Sequence, residues 1–269
     1  MTLRFVKMNG AGNDFILADN RAGSLQLTRE QVVRLCHRQR GVGADGVMLL
    51  VPCASGKADW AWEFYNSDGS TAEMCGNGAR CFARYIQRVA GAKERVRFET
   101  IAGVISAQFK GDRVAIGLTA PHSLRLNETI TTAAGPRVVH SLNTGVPHAV
   151  LFVEDADKAM VQDWGRELRF HAHFAPKGTN VNFVQLRGGN RIRVRTYERG
   201  VEGETLACGT GVTASALIAG RLQGLVSPVE VQVQGGDLME VSFVEKGGGF
   251  GDVCLSGPAD FVFEGQIVL

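Results

Sequence analysis

Two cysteines in matching surroundings are the residues of this sequence best suited to chemistry. Cys75 and Cys208 each begin a Cys-Gly-X-Gly segment that runs into an apolar stretch, and each follows an aromatic residue by eleven positions. A thiol at the start of a helix is made more acidic by the helix dipole and by backbone N–H groups that have no helical partner. The same N–H groups bind carboxylates or phosphates. Each segment therefore predicts a reactive thiol beside an anion-binding backbone.

The spacing of these segments indicates an internal duplication. Cys208 follows Cys75 by 208 − 75 = 133 residues, and Gly145 follows Gly12 by the same interval. The segment around Gly46 recurs at nearly that interval, in a looser form. Segments that recur in one order predict two similar halves. We expect a pseudo-twofold axis between the halves, which would place the two cysteines opposite one another.

Two opposed thiols suit one reaction better than others. One thiolate would remove a proton from a carbon alpha to a carboxylate, and the opposite thiol would protonate the other face. The backbone N–H groups would stabilise the charge that develops on the carboxylate. No dinucleotide fingerprint, phosphate-binding loop or metal-spaced cluster occurs in the sequence, so we predict no cofactor and no metal site. One nucleophilic cysteine with His148 as its base, or a disulfide-forming redox pair, are alternatives.

Polar residues near the repeated segments would bind the rest of a ligand. Amide side chains in predicted turns are those of Asn13, Asn66 and Asn180. Glu198 would accept a hydrogen bond from an ammonium group, and Arg199 would pair with a second carboxylate. His148 follows a proline in a turn, where its imidazole would tune the pKa of a thiol. Together they suggest a ligand with a second amino-acid head.

Composition narrows the class of protein. The chain of 269 residues has a net charge of +2 and no run of five like charges, so no nucleic-acid partner is expected. Its longest apolar runs, such as residues 47–51, are too short to cross a bilayer. No signal-peptide pattern opens the sequence, and none of the six cysteines forms Cys-X-X-Cys. We expect a cytoplasmic protein with free thiols.

Hydrophobic periodicity predicts many short strands and four helices. The helices are expected near residues 29–38, 78–89, 156–168 and 211–222. The last has almost no polar face, so we expect it to lie inside a curved sheet. Arg80, Arg84 and Arg88 recur every four residues along the second helix and predict a solvated face. Pro121 is expected to mark the crossover between the halves.

Six segments of the sequence resemble diaminopimelate epimerases. They are Met8 to Phe15, Gly41 to Gly46, Phe64 to Ala79, Gly145 to His148, Gly178 to Phe183 and Thr196 to Thr213. The resemblance implies an α/β (α+β) fold of two pseudo-symmetric halves, each a curved, mostly antiparallel sheet or barrel around a central helix. The expected halves are 1–118 with Cys75, completed by a C-terminal strand 259–269, and 119–258 with Cys208. The resemblance also implies a homodimer.

The same resemblance implies a cofactor-independent epimerase that interconverts LL- and meso-diaminopimelate in lysine and peptidoglycan biosynthesis. Cys75 would be the proton donor and Cys208 the acceptor in the LL-to-meso direction. The reacting carboxylate would be held by Gly76, Asn77, Gly209 and Thr210. The rest of the substrate would be held by Asn13, Asn66, Asn180, Glu198 and Arg199. His148 and Glu198 would tune the thiols.

Two positions depart from the pattern of some family members. Val146 stands where an asparagine often contacts the distal head of the substrate, and Gly46 stands where a glutamine occurs. A related racemase of another amino acid is therefore the same-class alternative, while Glu198 and Arg199 favour a substrate with two amino-acid ends. A noncatalytic amino-acid-binding protein and a thiol-redox protein are the alternatives from other classes.

Overall fold

The computed structural model describes residues 2–269, which divide into two compact units. The first unit contains the chain up to Ile116 together with Gly257–Leu269, and the second contains Gly117–Ser256. The strands in chain order are β1 (Thr2–Asn9), β2 (Asp14–Asp19), β3 (Gly46–Val51), β4 (Trp60–Asn66), β5 (Arg95–Thr100), β6 (Gly103–Lys110), β7 (Arg113–Gly117), β8 (His122–Thr132), β9 (Gly135–Asn143), β10 (Pro147–Phe152), β11 (Asn180–Leu186), β12 (Arg191–Glu198), β13 (Gly203–Thr205), β14 (Val229–Gln232), β15 (Leu238–Lys246), β16 (Gly249–Pro258) and β17 (Asp260–Val268). The helices are α1 (Arg29–Cys36), α2 (Gly76–Ala90), α3 (Val161–Arg169) and α4 (Gly209–Gln223).

Both units pair their strands in the same order. In the first unit, β1–β2 is antiparallel, β2–β3 parallel, β3–β4 antiparallel, β4–β5 parallel, and β5–β6 and β6–β7 antiparallel. The second unit repeats the same order of antiparallel and parallel pairs in β9–β10, β10–β11, β11–β12, β12–β14, β14–β15 and β15–β16. Each parallel pair requires a crossover, and each of the four helices lies in one of these connections. The expected pair of similar, mostly antiparallel α/β halves is thus confirmed.

Each unit gains one further antiparallel strand at the β1 or β9 end of this series. β17, from the end of the chain, pairs with β1 in the first unit. β8 pairs with β9 in the second. β8 was not predicted: it follows Pro121 directly, most of its side chains are polar, and Glu128 interrupts the alternation of Leu124, Leu126 and Ile130 on its less exposed face.

The helices α2 and α4 match in length and in both ends. Each has 15 residues, begins after a cysteine N-cap and ends at a glycine with φ 71°. An L side chain is strained in that left-handed conformation, which explains Gly91 and Gly224. α4 is buried along most of its length and packs against strands β9 to β12, β14 and β15. The expectation that an all-apolar helix lies within a sheet is confirmed.

Two details of the sequence-based expectation are wrong. The predicted helix over residues 156–168 is a single 3₁₀ turn at Ala156–Lys158 followed by the shorter α3. The arginine row is not one solvated face, because Arg80 has no exposed surface while Arg88 is exposed. Arg80 turns inward because backbone carbonyls, including those of Gly10 and Pro258, accept its guanidinium hydrogens there. None of the helices within residues 2–269 is long and apolar enough to cross a membrane.

Candidate active site

In the first unit, Cys75 caps the N-terminus of α2. Its backbone is extended, with φ −144° and ψ 120°, and its sulfur accepts a hydrogen bond from the Gly78 N–H at 3.4 Å. The first helical bond joins the Ala79 N–H to the Cys75 carbonyl at 2.8 Å. The N–H groups of Gly76 and Asn77 precede that bond and have no acceptor within the helix. They lie beside a half-buried thiol and form the predicted anion-binding backbone.

A relay of side-chain amides connects this helix start to the loop after β1. The Asn77 Nδ2 donates to Asn13 Oδ1 at 2.7 Å, and the Asn13 Nδ2 donates to Asp45 Oδ2 at 2.8 Å. At the other end, Arg80 Nη2 donates to Asn77 Oδ1 at 3.1 Å. The loop comes this close because position 10 is glycine: a Cβ there would lie 2.7 Å from the Asn77 carbonyl oxygen.

An ion-pair cluster supports the far end of this relay. Arg38 bonds both oxygens of Asp14 at 2.9 Å and one oxygen of Asp45 at 2.9 Å. The buried Lys7 pairs with Asp14 at 2.7 Å. Burial alone would raise the pKa of Asp14, but hydrogen bonds from Arg38 and Lys7 outweigh it and lower the pKa to about 2. The cluster holds Asp45 where Asn13 needs an acceptor.

In the second unit, Cys208 caps α4 at the repeat-related position. Its sulfur lies 3.6 Å from Thr210 Oγ1, and its side chain is buried. The first helical bond runs from the Val212 N–H to the Cys208 carbonyl at 2.8 Å, so Gly209 and Thr210 also have N–H groups without helical acceptors. The Thr144 hydroxyl donates to the Thr210 carbonyl at 2.9 Å and joins this helix start to the loop before β10.

His148 lies beside the start of α4 and is held neutral. Thr196 donates to Asn182 Oδ1 at 3.0 Å, so the Asn182 amide hydrogens face Ala149 O at 3.0 Å and His148 Nδ1 at 3.2 Å. The ring therefore accepts at Nδ1 and carries its proton on Nε2, which is buried and has no hydrogen-bond partner among residues 2–269. Burial, and to a lesser degree the nearby Arg199 charge, lower the pKa of His148 to about 3. A Cβ at Gly211 would lie 3.3 Å from this ring.

Three further predicted residues meet at the ends of β11 and β12. Asn180 Oδ1 accepts from the Arg199 backbone N–H at 2.8 Å, and its Nδ2 donates to Pro147 O at 3.0 Å. Glu198 accepts from the Thr205 hydroxyl at 2.9 Å, and burial raises the pKa of its carboxyl. Asn180 is also the register partner of His148 across β10 and β11. These residues gather at one edge of the second unit.

The structure thus places the predicted residues in two clusters, one in each unit. Asn66 is the exception within its unit: it is exposed at the end of β4, bonds Ser70 at 3.0 Å, and is the register partner of Gly46. Asp45, Arg80 and Asn182 were missed. Asn182 carried a usable signal, since it is two residues from Asn180 and so lies on the same face of a mostly apolar strand. Arg80 carried a usable signal too, because it lies one helical turn beyond Gly76.

The two clusters are similar in backbone and different in side chains. The interval of 133 residues places Val146 at the position of Asn13, Thr210 at that of Asn77, and Thr213 at that of Arg80. The Thr213 hydroxyl donates to Gly209 O at 2.9 Å, as Arg80 Nη1 does to Gly76 O at 3.4 Å. The amide relay therefore occurs only in the first unit.

Comparison with known proteins identifies the family of this chain. A family model described as diaminopimelate epimerase matches residues 5–121 and 140–261. The diaminopimelate epimerase of Aquifex aeolicus (strain VF5) is 45% identical over 278 residues, covering 98% of each chain.

Two solved structures share the fold at low sequence identity. A PhzF-family phenazine biosynthesis protein of Bacillus anthracis has a TM-score of 0.74 at 14% identity and covers 100% of both chains. A hydroxyproline epimerase from Agrobacterium vitis has a TM-score of 0.72 at 17% identity and covers 100% of this chain and 93% of that one. At these identities the likeness shows the fold alone. By the matched family model and the identity over nearly its whole length, this chain belongs to the diaminopimelate epimerase family.

Proposed function

We propose that this protein is a cofactor-independent isomerase that interconverts LL- and meso-diaminopimelate in lysine and peptidoglycan biosynthesis. One observation carries the proposal: a cysteine caps each of two 15-residue helices at repeat-related positions, beside N–H groups without helical acceptors. Family membership supplies the substrate. The proposal requires the two helix starts to face one substrate from opposite sides.

The chemistry is a proton transfer at each face of one carbon. In the LL-to-meso direction, the Cys208 thiolate removes the alpha proton and becomes a thiol. The carbanion that forms is stabilised as its charge spreads onto the carboxylate, which the helix N–H groups bind. The Cys75 thiol then protonates the opposite face and becomes the thiolate. The reverse reaction uses the same groups in exchanged roles, so no cofactor and no metal is consumed or required.

Each helix start would bind the reacting carboxylate through its own residues. These are Gly76 and Asn77 in the first unit and Gly209 and Thr210 in the second. The Gly78 N–H donates to the Cys75 sulfur at 3.4 Å and holds that side chain at the helix start. The family resemblance implies that Asn13 holds the rest of the substrate, but its 2.7 Å link with Asn77 supports a place beside the reacting carboxylate instead.

The distal amino-acid head would bind near the ends of β11 and β12. Arg199 offers a guanidinium for its carboxylate, and Glu198 an acceptor for its ammonium. Asn180 fixes the backbone of Arg199 at 2.8 Å, and Asn66 would add an amide from the first unit. His148 and Glu198 would tune the Cys208 thiol: burial keeps the imidazole neutral and raises the pKa of the Glu198 carboxyl.

A racemase of another amino acid is the second candidate, and Val146 favours it. Position 146 is repeat-related to Asn13 and lacks the amide that an asparagine would offer a polar head. The paired charges at Glu198 and Arg199 weigh against it, because a substrate with one amino-acid end would leave them unmatched.

The enzyme is expected to be a cytoplasmic homodimer. β17 is exposed along nearly its whole length although it carries Phe261, Val262 and Phe263. Exposed apolar side chains on a terminal strand are typical of a surface that a second copy covers. Light scattering of the parent protein and of a Val262→Asp variant would test this: the parent should have twice the mass of the variant, and equal masses would contradict the assignment.

The proposed activity is tested by proton NMR with reduced protein in heavy water. The alpha-proton signal that the two equivalent centres of LL-diaminopimelate share should lose intensity as the meso isomer appears, whereas proline and glutamate should show no exchange. The matched control is a Cys254→Ala variant, since Cys254 lies on β16 outside both clusters and should retain full activity. Exchange of another amino acid but not of diaminopimelate would favour the second candidate. Binding without exchange would favour a noncatalytic protein.

A further inference from the structure

Arg80 is a charged side chain with no exposed surface, one helical turn beyond the proposed carboxylate-binding backbone. Its guanidinium bonds three backbone carbonyls: Gly10 at 3.1 Å, Pro258 at 3.2 Å and Gly76 at 3.4 Å. A fourth bond reaches the side chain of Asn77 at 3.1 Å. Hydrogen bonds from Arg80 therefore connect the loop after β1, the start of α2 and the residues just before β17.

The groups at the two ends of the relay, Arg80 and Asp45, determine the orientation of the Asn77 and Asn13 side-chain amides. Arginine only donates hydrogen bonds, so Asn77 must present Oδ1 to Arg80 and Nδ2 to Asn13. An ionised carboxylate only accepts, so Asn13 must present Nδ2 to Asp45 and Oδ1 to Asn77. The observed distances of 3.1, 2.7 and 2.8 Å agree with this single arrangement. Without Arg80, the Asn77 oxygen would lose its donor, and of these bonds only the one to Asn13 would still hold the Asn77 amide.

We infer that Arg80 is a positioning residue that fixes the amide orientation of Asn77 and Asn13 in the proposed active site. In this orientation each Nδ2 uses one hydrogen in the relay and keeps a second one. Those two remaining N–H groups are donors of the kind that a substrate carboxylate binds. Arg80 acts through them, because it is fully buried behind Asn77.

This inference rests on the proposed function, which supplies the substrate carboxylate. A turned amide would aim an oxygen, not an N–H, at that carboxylate. Because charge grows on the carboxylate in the transition state, the loss should appear mainly in kcat and less in KM. Displacements of about 1 Å at a reacting group cost on the order of 100-fold in rate, so we expect a loss of that size in kcat.

The test compares Arg80→Ala, Arg80→Lys and Arg84→Ala for alpha-proton exchange with LL-diaminopimelate. Arg84 lies one turn further along α2, where it donates to the Gln87 side chain and the Gly111 carbonyl, so its variant should stay within about twofold of the parent. Arg80→Ala should lose about 100-fold in kcat. Millimolar guanidinium should restore part of this loss, whereas methylammonium at the same concentration should not. Arg80→Lys keeps the positive charge but loses the planar, forked guanidinium, so its kcat should remain below that of the parent.

A second variant covers the case in which Arg80→Ala does not fold. Asp45→Asn replaces the acceptor-only end of the relay at a side chain that is 37% exposed. It should lower kcat in the same way and should not respond to guanidinium. A folded Arg80→Ala protein with parental kcat, or an Asp45→Asn protein with parental kcat, would overturn the inference.

The failure of the proposed function has a different signature. In that case the parent itself would exchange no alpha proton of diaminopimelate. The relay is then tested without substrate, from the side-chain NH₂ signals of Asn13 and Asn77 in the parent protein. Their hydrogens should exchange slowly with solvent in the parent and in Arg84→Ala, and faster in Arg80→Ala. Equal exchange in all three proteins would refute the positioning role.

Discussion

Replacing Gly10 by alanine should damage the first cluster through a contact whose size the structure gives. The new Cβ would lie 2.7 Å from the backbone oxygen of Asn77 and 2.9 Å from the sulfur of Cys81. Ordinary van der Waals contact begins near 3.4 Å, so the loop after β1 and the start of α2 must separate by about 0.7 Å. Neither partner is the flexible end of a long side chain, so the backbone has to move.

Two measurable losses follow from that displacement. Overpacking of this kind costs about 1–3 kcal/mol, which lowers the melting temperature by several degrees for a chain of this length. The separation also stretches the 2.7 Å bond between Asn77 and Asn13, so we expect kcat/KM to fall roughly 10- to 100-fold.

The assay pairs calorimetry with initial rates of alpha-proton exchange at a temperature where the variant is folded. Gly117→Ala is the matched control, because a Cβ there meets nothing within 4 Å. It should leave both quantities nearly unchanged. A folded Gly10→Ala protein with the parental kcat/KM would refute the claim that this close approach holds the site together.

Three further predictions test other parts of the account. Cys75→Ala and Cys208→Ala should each abolish inversion, and substantial turnover in either variant would remove the two-base mechanism. His148 is neutral when folded, with a pKa of about 3, but takes up a proton below about 6.5 when unfolded. Its contribution to stability is therefore present above pH 6.5 and is lost as the pH falls. His148→Gln should reduce the slope of the unfolding free energy against pH by up to roughly 1.4 kcal/mol per pH unit between pH 6.5 and 4. An unchanged slope in urea titrations would contradict this. Asp14→Asn should cost roughly 3 kcal/mol in urea unfolding, since it leaves the buried Lys7 without its 2.7 Å partner, and a loss below about 1 kcal/mol would show that the pair contributes little.

The duplicated architecture was predictable from the sequence because its markers are local. Glycines and helix caps recur where the backbone turns in the same way, cysteine recurs with them at both helix starts, and the interval of 133 residues separates both ends of α2 from those of α4. The all-apolar pattern of α4 likewise reported its burial directly.

What the sequence did not show depends on contacts between distant segments. Arg80 sits in a regular row of arginines, and only the approach of Gly10 and Pro258 turns it into a buried group. Asp45 becomes part of the relay only once β2 and β3 pair side by side. The strand β8 was missed because polar side chains dominate it and Glu128 interrupts the alternation of Leu124, Leu126 and Ile130.

The most direct test of the central claim is the isotopic composition of the first product formed in heavy water. LL-diaminopimelate is mixed with the reduced protein, and both isomers are analysed by mass spectrometry and NMR during the first few per cent of conversion. With two thiols, the proton added comes from the donor that has exchanged with solvent, so nearly every meso molecule should carry deuterium while the remaining LL isomer is still protonated. Meso product that retains the original hydrogen would mean that one group moves the proton across, and the two-cysteine account would be wrong.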